Sequence, residues 1–214
     1  RVGWDLVIDI DFTHWEATKI IADTLIKQLY SEGVPEEAVS VKFSGNKGFH
    51  ICVPFQAFPD IYVDDSDVEV FTSDLFPEGA RRIVEYLIDR VDGPKAGFAL
   101  SQKLLDIEEI ANNKDMIIAV DADSGEKVAP QKLEGTLFVC PKCEQNVRSK
   151  QDFVQCPRCK AVMTRIDEGD ESSSSVARKV DLGIDTLLVS NRHMYRLVYS
   201  LHEKSGLASI PVDP

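Results

Sequence analysis

Two short cysteine pairs constrain this chain most. They read Cys140-Pro-Lys-Cys143 and Cys156-Pro-Arg-Cys159, with twelve residues between them. Knuckles at that separation fold back on each other and present four thiolates tetrahedrally to one Zn2+. Such a site leaves no open coordination position, so its expected role is structural. The competing readings are a pair of redox-active dithiols or four unrelated thiols. Five cysteines in all is an odd count. It suits a metal better than a disulfide framework, and it points to a reducing, intracellular setting. The fifth, Cys52, lies in a strand-like run and reads as a buried small hydrophobe.

The 214 residues have room for one ordinary domain plus a small module. The chain carries 24 Lys and Arg against 36 Asp and Glu, a net charge of −12. The excess acid is concentrated in residues 51–135, which hold 8 basic and 18 acidic side chains. The cysteine module, residues 136–166, is the reverse, with 6 basic and 2 acidic. The acidic total argues against tight, non-specific DNA binding by the whole chain, but not against one basic face. The module's surface suits a nucleic acid or a protein partner; the plainer reading is a folding staple with a solvated basic surface. No run of about 18 apolar residues exists, which excludes a membrane-spanning helix, and no secretory signal opens the chain. An opening on Arg-Val-Gly-Trp, without Met, reads as part of something longer.

Periodicity supplies the elements. Residues 5–11 form a buried strand ending in carboxylates. A helix follows, with capping-box spacing at Thr13 and Glu16, an apolar stripe through Ile21, Leu25 and Leu29, and a stop at Gly33. Residues 39–43 and 49–53 alternate around Ser44-Gly45-Asn46-Lys47-Gly48, which predicts a hairpin. Residues 60–72 read as loop with at most one strand. Ser73 or Asp74 caps a helix running to about Val91, and residues 100–110 are helical. Residues 116–120 are a strand closed by the turn Asp121–Gly125. Residues 167–175, with four consecutive serines, are a flexible linker. Residues 184–189 are strand-like and 208–212 are a last apolar stretch. Strands and helices mix without steady alternation, so the expected class is α+β with a mixed sheet. The domain reading is a core of residues 1–135 and 176–214, with the ribbon 136–166 inserted.

Chemistry concentrates in a few places. Asp9-Ile-Asp11 puts two carboxylates on one side of a strand end, about 7 Å apart at the backbone. That spacing suits a pair of divalent cations and two-metal phosphoryl or nucleotidyl transfer. The same pattern in Asp121-Ala-Asp123 is followed by Ser124-Gly125 and reads as a solvated turn. Ser44-Gly-Asn-Lys47-Gly-Phe-His50 offers two glycines for close backbone approach to a phosphate, a hydroxyl, a cation and an imidazole. By itself it is a hairpin turn.

Taken together, the Asp-x-Asp strand, the Ser-Gly-x-x-Gly-x-His turn, the zinc segment and the block Asp185 … Arg196-Leu-Val-Tyr-Ser-Leu-His202-Glu-Lys204-Ser-Gly-Leu stand in a telling order. The chain resembles the catalytic (small) subunit of archaeo-eukaryotic primases, from Asp5 to Val212. The resemblance implies a primase-type catalytic core and roles residue by residue. Asp9, Asp11 and Asp185 would hold two Mg2+ or Mn2+ ions. Asp185 stands 17 residues before His202, one short of the family spacing; Asp181, 21 before, is the fallback. Ser44, Lys47, His50, Arg196 and His202 would hold a nucleoside triphosphate, with Lys204 a weaker candidate. Asn46 stands where the family often has a second basic residue, and only eight residues precede Asp9.

The implied function is synthesis of short RNA or DNA primers on single-stranded DNA, beside a partner such as a primase large subunit, inside the cell. Alternatives are a repair or gap-filling polymerase of the same superfamily, a non-catalytic module binding nucleic acid or a partner, and a two-metal nuclease. A triphosphate-shaped basic set argues against the nuclease.

Overall fold

A computed structural model describes residues 3–63, 66–128, 136–143, 146–149, 153–166, 176–184, 186 and 196–214. The chain divides into two compact units, Arg1–Met116 with Val180–Pro214, and Ile117–Lys179. The first combines α-helices with small antiparallel sheets, and the second, among its described residues, is built of strands.

The first unit opens with β1 (Leu6–Ile10), whose Leu6, Ile8 and Ile10 are buried while Val7 and Asp9 face the other way. Helix α1 (Trp15–Ser31) buries Ile21, Leu25 and Leu29. Strands β2 (Ser40–Phe43) and β3 (Phe49–Val53) form the expected hairpin. The hairpin β4 (Ile61–Val63) and β5 (Glu69–Phe71) follows, then α2 (Glu78–Asp92), α3 (Ala99–Leu105) and α4 (Glu108–Ala111). The second unit holds β6 (Ile117–Asp121), β7 (Thr136–Val139), β8 (Asn146–Ser149), β9 (Thr164–Ile166) and β10 (Val176–Val180), the last ending at its border. Strand β11 (Ile210–Val212) returns to the first unit.

The main sheet runs β1-β3-β2-β11, and each adjacent pair is antiparallel. Because alternate side chains point to opposite faces, the register sorts the sheet into two surfaces. Ile8, Ile51, Val41 and Val212 line up across one face. There the core gathers with α1, α2 and α3. On the opposite face the row reads Asp9, His50, Lys42, Pro211. Asp9 and His50, singled out in the sequence, therefore occupy the side away from the helical core.

Several elements differ from expectation. His14, not Thr13, caps α1: its Nδ1 accepts from the Ala17 N–H at 3.3 Å. The β4–β5 hairpin replaces the expected loop. Helix α2 starts at Glu78, because Pro77 holds Phe76 extended and confines Thr72–Leu75 to a separate short turn. Ile107 is extended and packs against the core, splitting residues 99–111 into α3 and α4.

In the second unit β6 pairs with β10, and β8-β7-β9 form the ribbon sheet. Asp121 Oδ1 accepts from the backbone N–H groups of Asp123 and Ser124, at 3.1 and 2.9 Å. The second Asp-x-Asp is thus the turn the sequence suggests. The expected linker, residues 167–175, lies outside the described residues.

Candidate functional site

The Asp-x-Asp motif sits where β1 leaves the sheet. Asp9 is the cross-strand partner of His50, and His50 Nε2 lies 3.3 Å from Asp9 Oδ1. Both side chains are largely shielded, at 11% exposed for His50 and 21% for Asp9. Asp11, more open, faces the Lys47 ammonium at 3.6 Å. One carboxylate therefore meets the imidazole of β3 and the other the cation of the turn.

The turn is held in place by glycine. A Cβ on Gly48 would lie 1.9 Å from the Ile10 carbonyl oxygen, so only hydrogen lets the turn close against the end of β1. Gly45 takes φ +91°, open to glycine and strained for other residues. Ser44 Oγ accepts from the Gly48 and Asn46 N–H groups at 3.2 and 3.4 Å, which leaves its own O–H to donate.

The C-terminal block docks on this turn from some 150 residues away. The Ser205 hydroxyl donates to the Gly45 carbonyl, and the Ser209 hydroxyl donates to the Phe43 carbonyl at 2.8 Å. Within the block, His202 N donates to Leu207 O at 2.8 Å, and His202 Nδ1 accepts from the N–H groups of Lys204 and Ser205, both at 3.2 Å. A neutral His202 thus carries its proton on Nε2, where it can donate. Arg196 donates to Leu201 O at 2.9 Å and to Glu203 Oε2 at 2.7 Å. The guanidinium holds the Glu203 carboxyl down to about 2. Arg196 is thereby fixed close to His202, and its charge is shared with a carboxylate that the sequence reading did not weigh.

Lys42 is the residue that reading missed. It is buried, stands between His50 and Pro211 in the row across the sheet, and donates through Nζ to the Arg196 carbonyl. Burial, followed by the nearby Arg196 charge, pushes its pKa down. The hairpin register was the available signal: pairing Phe43 with Phe49 places Lys42 opposite His50.

Asp185 lies outside the described residues. Its neighbour Ile184 bridges Ile10, and Gly183 O accepts from Asp11 N at 2.9 Å. Asp181 is exposed, and its N–H donates to Met116 O. Asp9, Asp11, Ser44, Lys47, His50, Arg196 and His202 thus belong to connected segments of one unit. Lys204 is exposed in the same block.

In the second unit Cys140, Cys143, Cys156 and Cys159 bring their sulfurs within 4.8 Å of one another, an arrangement that can bind a metal such as zinc. A tetrahedral zinc with bonds of about 2.3 Å places sulfurs about 3.8 Å apart; the close pairs are at 3.3, 3.5 and 3.6 Å. The cluster packs with Phe138 and Met163. The backbone N–H of Cys159 pulls the Cys156 thiol down to about 6, against the opposing effect of burial. Burial opposes ionisation of Cys140, but the Lys142 N–H and neighbouring thiols outweigh it. Cys52, in the other unit, has its thiol pushed up by burial. Among the described residues no other group of three or more His, Cys, Asp or Glu converges in this way, and no helix is long and apolar enough to cross a membrane.

No family model, curated protein or solved structure matches the chain.

Proposed function

We propose that the chain is a template-directed nucleotidyltransferase that synthesises short RNA or DNA primers on single-stranded DNA. One observation carries the reading. The Asp-x-Asp strand, the Ser44–His50 turn and the Arg196–Leu207 block are far apart in sequence, yet ion pairs join the first two and hydrogen bonds join the third to the hairpin. A structural turn alone gives no reason for three carboxylates, two imidazoles and three cations to collect there.

The donor set fits divalent metal. Asp9 and Asp11 are hard oxygen ligands of the kind Mg2+ and Mn2+ take, and a bound ion would displace their present partners His50 and Lys47. Asp185, which follows the residue bridged to Ile10, is the proposed third carboxylate. Mg2+ or Mn2+ bound there would supply Lewis acidity toward an attacking 3′-hydroxyl and the departing pyrophosphate.

The chain's own residues position the triphosphate. Ser44 and the Gly45–Gly48 backbone offer donors at close approach. His202 donates from Nε2. Lys47 and Arg196 balance phosphate charge, with Arg196 exchanging Glu203 for a phosphate oxygen. Lys42, beside His50 in the row, anchors the Arg196 backbone. The cysteine ribbon holds a structural zinc, and single-stranded DNA is the proposed template.

The test is incorporation of labelled nucleotide on a single-stranded template with Mg2+ or Mn2+. Product of primer length from the unmodified chain, and none from Asp9→Ala/Asp11→Ala, supports the reading. Equal product from both, or product only when a duplex gap is supplied, refutes it.

A further inference from the structure

The β4–β5 hairpin has no part in that chemistry, yet it presents a cluster of exposed apolar side chains. Ile61, Tyr62, Val63, Val68 and Phe71 are each at least 40% exposed, with Phe71 at 59%. The register pairs Ile61 with Phe71 and Val63 with Glu69, so Ile61, Val63 and Phe71 share one face. The base of the hairpin is firmly rooted. Thr72 is buried, its N–H donates to Asp60 O at 2.9 Å, and Trp4 Nε1 donates to Thr72 O at 2.8 Å. The sheet has two strands, so both outer edges are open among the described residues. A rooted hairpin with an apolar face and open edges is a template for a further strand.

Charge selects the occupant. Residues 60–74 contain six Asp or Glu and no Lys or Arg. Asp60, Asp67, Glu69 and Asp74 are exposed. This field repels phosphate backbones and anionic lipid, and it attracts Lys and Arg. We infer that the hairpin is a docking surface for an extended, basic segment of a partner protein, which adds as a third strand. Added beside β5, its apolar residues would flank Phe71, and its cations would meet the acidic rim. The inference does not depend on the catalytic reading.

The probe is a short peptide alternating Lys and Val, titrated into the full chain while amide shifts are followed by NMR. The control is its Glu–Val counterpart. Saturable shifts confined to the two strands and their flanks, weakening as salt rises, are expected for the basic peptide alone. Phe71→Ser should weaken binding by at least roughly tenfold. Tyr86→Ser, an exposed aromatic on α2, should leave it unchanged. Shifts spread over other surfaces, equal binding of the acidic peptide, or loss of affinity in Tyr86→Ser overturns the inference. So does occupation of the hairpin by oligothymidylate, by anionic phosphatidylserine vesicles or by a second copy of the chain in sedimentation equilibrium. Primer synthesis by Phe71→Ser should stay at the unmodified level, so this test and that of the catalytic site can fail separately.

Discussion

Replacing Gly48 with Ala probes how the turn meets the acidic strand. The new Cβ would stand 1.9 Å from the Ile10 carbonyl oxygen and 3.3 Å from Asp11 Cα. A carbon and a carbonyl oxygen come no closer than about 3.3 Å in ordinary contact, so the turn or the strand must retreat by more than an ångström. Both contacts are backbone, and neither can swing away. Retreat pulls on the end of the β1–β3 ladder, where Ile10 pairs with Phe49 and Asp9 with His50. Overpacking of this kind, with a ladder bond lost, costs about 2–4 kcal/mol. Gly33 is the control. It has φ +91° but no atom within 4 Å of an added Cβ, so Ala there bears only backbone strain, about 1–2 kcal/mol. The two tryptophans, Trp4 and Trp15, both lie in the first unit, so urea unfolding read by their fluorescence isolates it. Gly48→Ala should lower the midpoint more than Gly33→Ala and should also weaken nucleotide binding. A Gly48→Ala protein as stable as Gly33→Ala would mean that the turn does not press on β1, and the site geometry described above would fall with it.

Protein purified without chelator should contain one zinc per chain by elemental analysis, and Cys156→Ser should lose it while the tryptophan unfolding transition stays put. Arg196→Ala should weaken triphosphate binding by about tenfold or more, since a charged fork to phosphate contributes about 1.5–3 kcal/mol. Glu203→Gln should strengthen it by freeing that fork, and unchanged affinity in both variants would make the block purely structural. Lys42 has a lowered pKa through burial first and Arg196 second. The folded chain therefore holds fewer protons there than the unfolded chain, and stability should rise as pH climbs toward the ordinary lysine value of 10.5. In urea unfolding across that range, Lys42→Met should lack this part of the rise; parallel curves would contradict the assigned burial.

The legible parts of the fold are those decided within a few residues. The stripe through Ile21, Leu25 and Leu29 marks α1, and the glycine turn between two alternating runs marks the β2–β3 hairpin, because each signal is complete in its own segment. The four cysteines were legible for the same reason: their spacing is their geometry. What escaped depends on partners distant in sequence. Strand β10 gains its meaning from β6, and β11 from β2 across more than 160 residues. The acidic, apolar 60–72 segment carries no turn glycine, so its hairpin left no local mark. Nothing local marks Lys42 out in its strand, yet it is buried and donates to the Arg196 carbonyl more than 150 residues away. Glu203 was likewise unremarkable until Arg196 turned toward it. The candidate residues could be named one by one, but their assembly could not be read from local pattern.

The claim on which the rest depends is that three distant segments make one site for a triphosphate and a divalent ion. Paramagnetic broadening by Mn2+, added with a non-hydrolysable nucleoside triphosphate to the isotope-labelled chain, tests it directly. Amide signals of Asp9–Phe12, Ser44–His50 and Ser200–Leu207 should broaden together and recover in Asp9→Ala/Asp11→Ala. Broadening centred on the acidic 60–74 segment or on the Asp121–Gly125 turn, with those three segments untouched, would contradict it.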